Sequence, residues 1–186
     1  MIRISPAGAL VLCCWGFCFA AALSIEDVFE GLAPERVGSE LSAVLQRVEL
    51  ACHWDRTDAQ LYRCVPAHGA RWTLGQVRLS AVEALFSEQR LAQVTVYFPE
   101  QHFSEILSLV SARFGEGQDW SLTLRSGMAG QFSDQIRLWE TDRFVLVAQQ
   151  YDRKIDRSSL IYGTARAMAS LLQRIKSTPP GALRDL

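Results

Sequence analysis

Leu91–Gly115, LAQVTVYFPEQHFSEILSLVSARFG, changes its period at a single proline. Before Pro99, the run Leu91–Phe98 is rich in β-branched and aromatic residues and reads as a buried strand. After it, Phe103, Ile106, Leu107 and Val110 recur at spacings of three and four, and Gly115 follows the last apolar residue. That pattern predicts a helix from about Gln101 to Phe114. A strand feeding a helix, with further strands on both sides, points to an α+β domain: an antiparallel sheet packed by two or three helices.

Working outward toward the N-terminus, Ser87–Arg90 is a polar turn and Trp72, Leu74, Val77 and Leu79 open an extended region running to Phe86. A strand is expected at Leu61–Val65. Ser39 is placed to cap a helix carrying Leu41, Val44, Leu45 and Val48. Ser24–Pro34 is a lead-in with an edge strand at Val28–Phe29. Toward the C-terminus, Trp120–Leu124 alternates like a strand, and Gly127–Ser133 reads as a flexible connection. Gln135–Glu140 and Arg143–Tyr151 form a hairpin turning at Thr141–Asp142, and Ser158–Tyr162 adds a strand. Thr164 can cap a last helix with Ala165, Met168, Leu172 and Ile175 on its apolar face, and residues 177–186 read as a flexible tail.

A tandem repeat of helix plus strands is one organisation that fits, with copies at 37–98 and 101–163. Leu41-Ser-Ala-Val-Leu45 matches Phe103-Ser-Glu-Ile-Leu107, and Leu85-Phe-Ser-Glu-Gln-Arg-Leu91 matches Leu138-Trp-Glu-Thr-Asp-Arg-Phe144.

The N-terminus reads as a signal peptide over residues 1–22, leaving a single domain over 23–176. Arg3 supplies the positive start, residues 7–23 carry no charge, and Ala20-Ala21-Ala22 offers the small residues of a cleavage site. The expected location is the periplasm or the secreted fraction, with no stable membrane span once the signal is removed; retention as an anchor is the alternative. Cys13, Cys14 and Cys18 leave with the signal, so Cys52 and Cys64 remain, and an oxidising compartment makes them a disulfide.

Composition sets the class. Hydrophobic residues make up 49% of the chain and charged ones 21%, which is ordinary for a globular domain. A net charge of −1 gives no pointer to nucleic acid. The lysines are Lys154 and Lys176, so arginine dominates the basic residues, but the arginines are scattered singly along the chain.

The stretch Ala51–His68, ACHWDRTDAQLYRCVPAH, is the most chemical segment. Cys52, His53, Cys64 and His68 are ligand types zinc accepts, but the cysteines stand too far apart for the strong zinc motifs, and export favours the bridge. No metal and no cofactor are expected. The Gly-x-Ser-x-Gly, Ser-x-x-Lys and His-Glu-x-x-His patterns do not occur. Ser158 and Ser159 read as strand residues, and Glu116 and Asp119 as part of a solvated Gly-rich turn, so no catalytic residue is assigned and no enzyme is expected. Trp54 beside Asp55, Arg56 and Asp58 is a candidate interaction surface, an aromatic on a charged turn; folding back over the disulfide is the alternative.

The order of signal peptide, helix, Cys pair, strands, a helix ending in Ala112-Arg-Phe-Gly115 and more strands resembles small exported proteins of Gram-negative bacteria. In layout it is also similar to the fold group of beta-lactamase-inhibitor proteins and outer-membrane-assembly lipoproteins, although no lipobox precedes Cys13 or Cys18. The resemblance carries no catalytic residues and implies action through surfaces. The function expected is an exported protein-binding module, adaptor or inhibitor, whose partner is another envelope protein. The alternative is a carrier of a lipid or small apolar ligand.

Overall fold

The structure is a computed structural model that describes residues 32–54, 61–67, 72–126, 130–178, 181 and 183–185. The signal-peptide segment and the lead-in strand at Val28–Phe29 lie outside those residues. The strands of the first half are β1 (Leu50–Trp54), β2 (Leu61–Pro66), β3 (Thr73–Leu74), β4 (Val77–Arg78), β5 (Ala81–Ser87) and β6 (Arg90–Pro99). Those of the second are β7 (Gln118–Asp119), β8 (Leu122–Ser126), β9 (Gly130–Asp134), β10 (Ile136–Glu140), β11 (Val145–Gln149), β12 (Arg157–Gly163) and β13 (Leu183–Asp185). The helices are α1 (Leu41–Leu45), α2 (Phe103–Phe114) and α3 (Ala165–Lys176).

Eight strands make one antiparallel sheet in the order β1-β2-β5-β6-β12-β11-β10-β7. With its helices, it is the expected α+β architecture. The first four sheet strands run inward from one edge and the last four from the other, so β6 and β12 meet in the middle. The hairpins matched in sequence occupy different ranks. β5–β6 are third and fourth from their edge, whereas β10–β11 are second and third from theirs, so that match does not mark equivalent positions.

Strand alternation divides the side chains between two faces. On one face, Val82, Ala84 and Phe86 of β5, Val94, Val96 and Phe98 of β6, and Leu160 and Tyr162 of β12 form the larger core. Val44 and Val48, the α2 residues Phe103, Ile106 and Val110, and the β3–β4 hairpin with Trp72, Leu74 and Val77 close over them. The Tyr162 hydroxyl, fully buried there, donates to the Leu32 carbonyl, and burial pushes its pKa well above the ordinary phenol value. On the other face, Met168 and Ile175 of α3 cover Leu138, Val145, Val147 and Ile161. Among the described residues this smaller core lies under the second half of the sheet.

The junction between β12 and α3 fixes that asymmetry. The β5–β6 register shifts between Leu85↔Gln93 and Phe86↔Leu91, leaving Ala92 as an extra residue. Its carbonyl accepts the Thr164 N–H at 2.8 Å, and the Thr164 hydroxyl caps α3 by accepting the Ala167 N–H at 3.1 Å. Gly163 makes this approach possible, because a Cβ there would lie 2.5 Å from the Ala92 oxygen.

Several elements differ from their sequence expectation. The first helix is five residues long and its N-cap is Glu40, without a side-chain cap bond. Ser39 cannot serve, because its carbonyl accepts the Leu91 N–H at 2.8 Å and ties the segment to β6. Gln118–Asp119, read as a solvated turn, is β7, recruited by the edge of β10 through Arg137↔Asp119 and Leu138↔Gln118. Part of the connection read as flexible, Gly130–Asp134, is β9 and pairs with β8. Leu183–Asp185, within the segment read as a tail, lies parallel to β8.

Candidate functional site

Cys52 and Cys64 stand directly opposite each other in the β1–β2 ladder and are joined as a disulfide. Cys64 is fully buried against the larger core, so the bond joins the sheet edge to the interior. The sulfurs are bonded to each other and are not thiolates available to zinc. Trp54 ends β1 with its backbone opposite Tyr62. The Trp54 side chain, Asp55, Arg56, Asp58 and His68 lie outside the described residues.

The remaining sequence candidates fall in ordinary places. His102 is exposed, with Nδ1 3.3 Å from Glu105 Oε2. Ser158 and Ser159 are fully buried in β12. The Ser158 hydroxyl donates to the Gln150 carbonyl at 2.6 Å, and the Ser159 hydroxyl has no hydrogen-bond partner among the described residues. Asp119 accepts the Ser121 N–H at 2.9 Å and pairs with Arg137. These bonds, the Ser121 contacts first, lower its carboxyl pKa to about 2. Among the described residues no helix is long and apolar enough to cross a membrane.

The feature that sequence reasoning missed is the half of the sheet that lies outside the α3 core among the described residues. On the face that α3 covers farther along, β2, β5 and β6 present Arg63, Glu83, Leu85, Gln93, Thr95 and Tyr97, none of which belongs to the core under α3. Arg63, Glu83, Leu85, Gln93 and Tyr97 all keep solvent exposure. Arg63 Nη1 donates to Glu83 Oε2 at 3.0 Å across the β2–β5 pair, and Gln93 Nε2 donates to Thr95 Oγ1 at 3.2 Å. With Arg153 they line a hollow of about 310 Å³.

The loop between β11 and β12 forms one wall. Arg157 holds it by donating from Nη2 to the Asp152 carbonyl at 2.9 Å, and its guanidinium stacks 4.6 Å above the Tyr97 ring. Burial, then Glu83 and Asp152, raises the Tyr97 pKa against the opposing pull of Arg157 and Arg153, so its hydroxyl remains a donor at neutral pH. Arg153 has a left-handed backbone, φ 61°, and Ile155 beside it is 64% exposed. The arrangement offers guanidinium and phenol donors on a strand ladder, which suits recognition of another surface.

Comparison with protein-family models, with characterised proteins and with solved structures finds no match.

Proposed function

We propose that this chain is an exported, non-catalytic protein-binding module that engages another envelope protein through the open half of its sheet. The observation that carries it is the contrast between the two halves. In β11 both strand faces are apolar and buried, Leu146 and Ala148 on one and Val145 and Val147 on the other, whereas β5 and β6 bury one face and leave Glu83, Leu85, Gln93 and Tyr97 on the other. A partly apolar face rimmed by donors, with an arginine and a tyrosine at its centre, has the composition of a protein interface. A carrier asks for an apolar cavity, and the hollow on this face is lined mainly by polar side chains. Export is supported by the N-terminal pattern and by the Cys52–Cys64 bond, which persists in oxidising compartments.

The test immobilises the purified protein and passes envelope extract over it. Leu85→Asp should abolish partner retention, while Leu109→Asp, on the exposed side of α2, should leave it intact. Equal behaviour of the two variants would sink the proposal. Retention of lipid alone would favour the carrier instead.

A further inference from the structure

Five charged groups surround the hollow on the open face. Arg63, Glu83 and Arg153 line it, and Asp152 and Arg157, in the β11–β12 loop and at the start of β12, flank it beside Tyr97. The acids are already engaged or sheltered. Glu83 is held by Arg63, and the Asp152 side chain is only 14% exposed. Two of the bases stay more open: Arg153, 4.0 Å from Asp152, is 82% exposed, and Arg63, although paired with Glu83, is 58% exposed. The local excess is positive although the whole chain carries −1, so the patch is not a share of a generally basic surface. The left-handed backbone at Arg153 disfavours an arginine, and such strain is tolerated where the surrounding structure fixes it.

We infer that the open face takes an acidic segment of its partner protein, with a carboxylate seated between the guanidiniums of Arg63 and Arg153 and a neighbouring apolar side chain against Ile155. This rests on the protein-binding function proposed above and names the partner's chemistry. Arginine forks match carboxylate geometry, the Tyr97 hydroxyl adds a neutral donor, and the Arg157–Tyr97 stack keeps that wall of the hollow in place. Glu83 competes with the incoming carboxylate for Arg63, so it tunes affinity downward.

The probe is a fluorescein-labelled peptide of alternating Glu and Val, read by anisotropy against the oxidised protein, with the Lys–Val counterpart as control. The acidic peptide should bind, the basic one should not, and raised ionic strength should weaken binding. Arg153→Glu, on an exposed loop, should weaken it by about tenfold or more with an unchanged circular dichroism spectrum, since reversing a rim charge replaces attraction with repulsion. Glu83→Gln should tighten it. Equal binding of both peptides, no binding of either, or indifference to Arg153→Glu would overturn the inference. A dimer that Arg153→Glu disperses would put a second copy of the chain on the face and overturn it too. Partner retention that depends on Leu85 but not on Arg153 would leave the protein-binding proposal standing and remove only the acidic segment.

Discussion

Reducing the Cys52–Cys64 bond removes a covalent link without removing an atom from the core, so its effect can be worked from the loop alone. The cysteines are 12 residues apart in sequence. In the chain-entropy account, freeing a loop of this size from the unfolded state costs about 3 kcal/mol of stability at 25 °C. For a domain of this size each kcal/mol moves Tm by roughly 2–4 °C, so reduction should lower it by about 6–12 °C. The loss should be local as well as global. β1 is an edge strand with β2 as its neighbour in the sheet, and one of its five partners is Pro66, which has no N–H to donate. Amide exchange in Leu50–Trp54 should therefore accelerate in the reduced protein well below its melting temperature. Cys52→Ala with Cys64→Ala should reproduce the loss, plus the effect of a small void at the buried Cys64. Thermal and urea melts with and without reductant provide the measurement. A stability change below ~1 kcal/mol would refute the claim that the bridge restrains this edge.

Other outcomes follow from single contacts. Gly163→Ala places a methyl 2.5 Å from the Ala92 oxygen and 3.0 Å from Gln93 Cα, both backbone atoms, so the bulge must shift. Overpacking of this kind costs roughly 1–3 kcal/mol in a urea melt, and a neutral result would mean the β12–α3 junction is looser than described. Thr164→Ala should cost about 1 kcal/mol by removing the α3 cap, with Thr164→Ser restoring most of it in the same assay. Asp119 has a lowered pKa, so its stabilising contribution is present above the unfolded value near 4 and fades as pH falls through about 2. A carbon-detected titration of Asp119 should find a midpoint near 2, and an ordinary midpoint would show that Ser121 and Arg137 do not hold it.

Where burial follows a single period, sequence and structure agree. The Leu91–Phe98 strand, the α2 stripe, the Thr164 cap and the Cys52–Cys64 bond are each decided by neighbours close in the chain. The misses are elements that owe their form to a distant partner. Gln118–Asp119 is polar and exposed, and becomes a strand because β10 offers an open ladder. Gly130–Asp134 has little apolar alternation and pairs because β8 lies beside it. Ser39 is an adequate cap residue in isolation, but a bond from Leu91, far along the chain, claims its carbonyl.

The open face was hidden for a related reason. Glu83, Gln93 and Tyr97 occupy the outward positions of alternating strands, which in any sheet read as the solvent side. A signal was nevertheless present. β11 carries Val145, Val147 and Leu146 on both faces, whereas β5 alternates strictly, so the strands themselves distinguish the doubly covered half from the singly covered one. The segment around Trp54 is conspicuous for its unusual residues, whereas the open ladder consists of ordinary residues in an unusual position.

Whether this protein works through the open half of its sheet is decided by site-specific crosslinking in living cells. A photoreactive amino acid placed at Leu85 reports on the open face, and the same probe at Leu109 reports on the outer side of α2. A discrete protein adduct is expected at Leu85 and none at Leu109. An adduct at Leu109 with none at Leu85 would contradict the proposal.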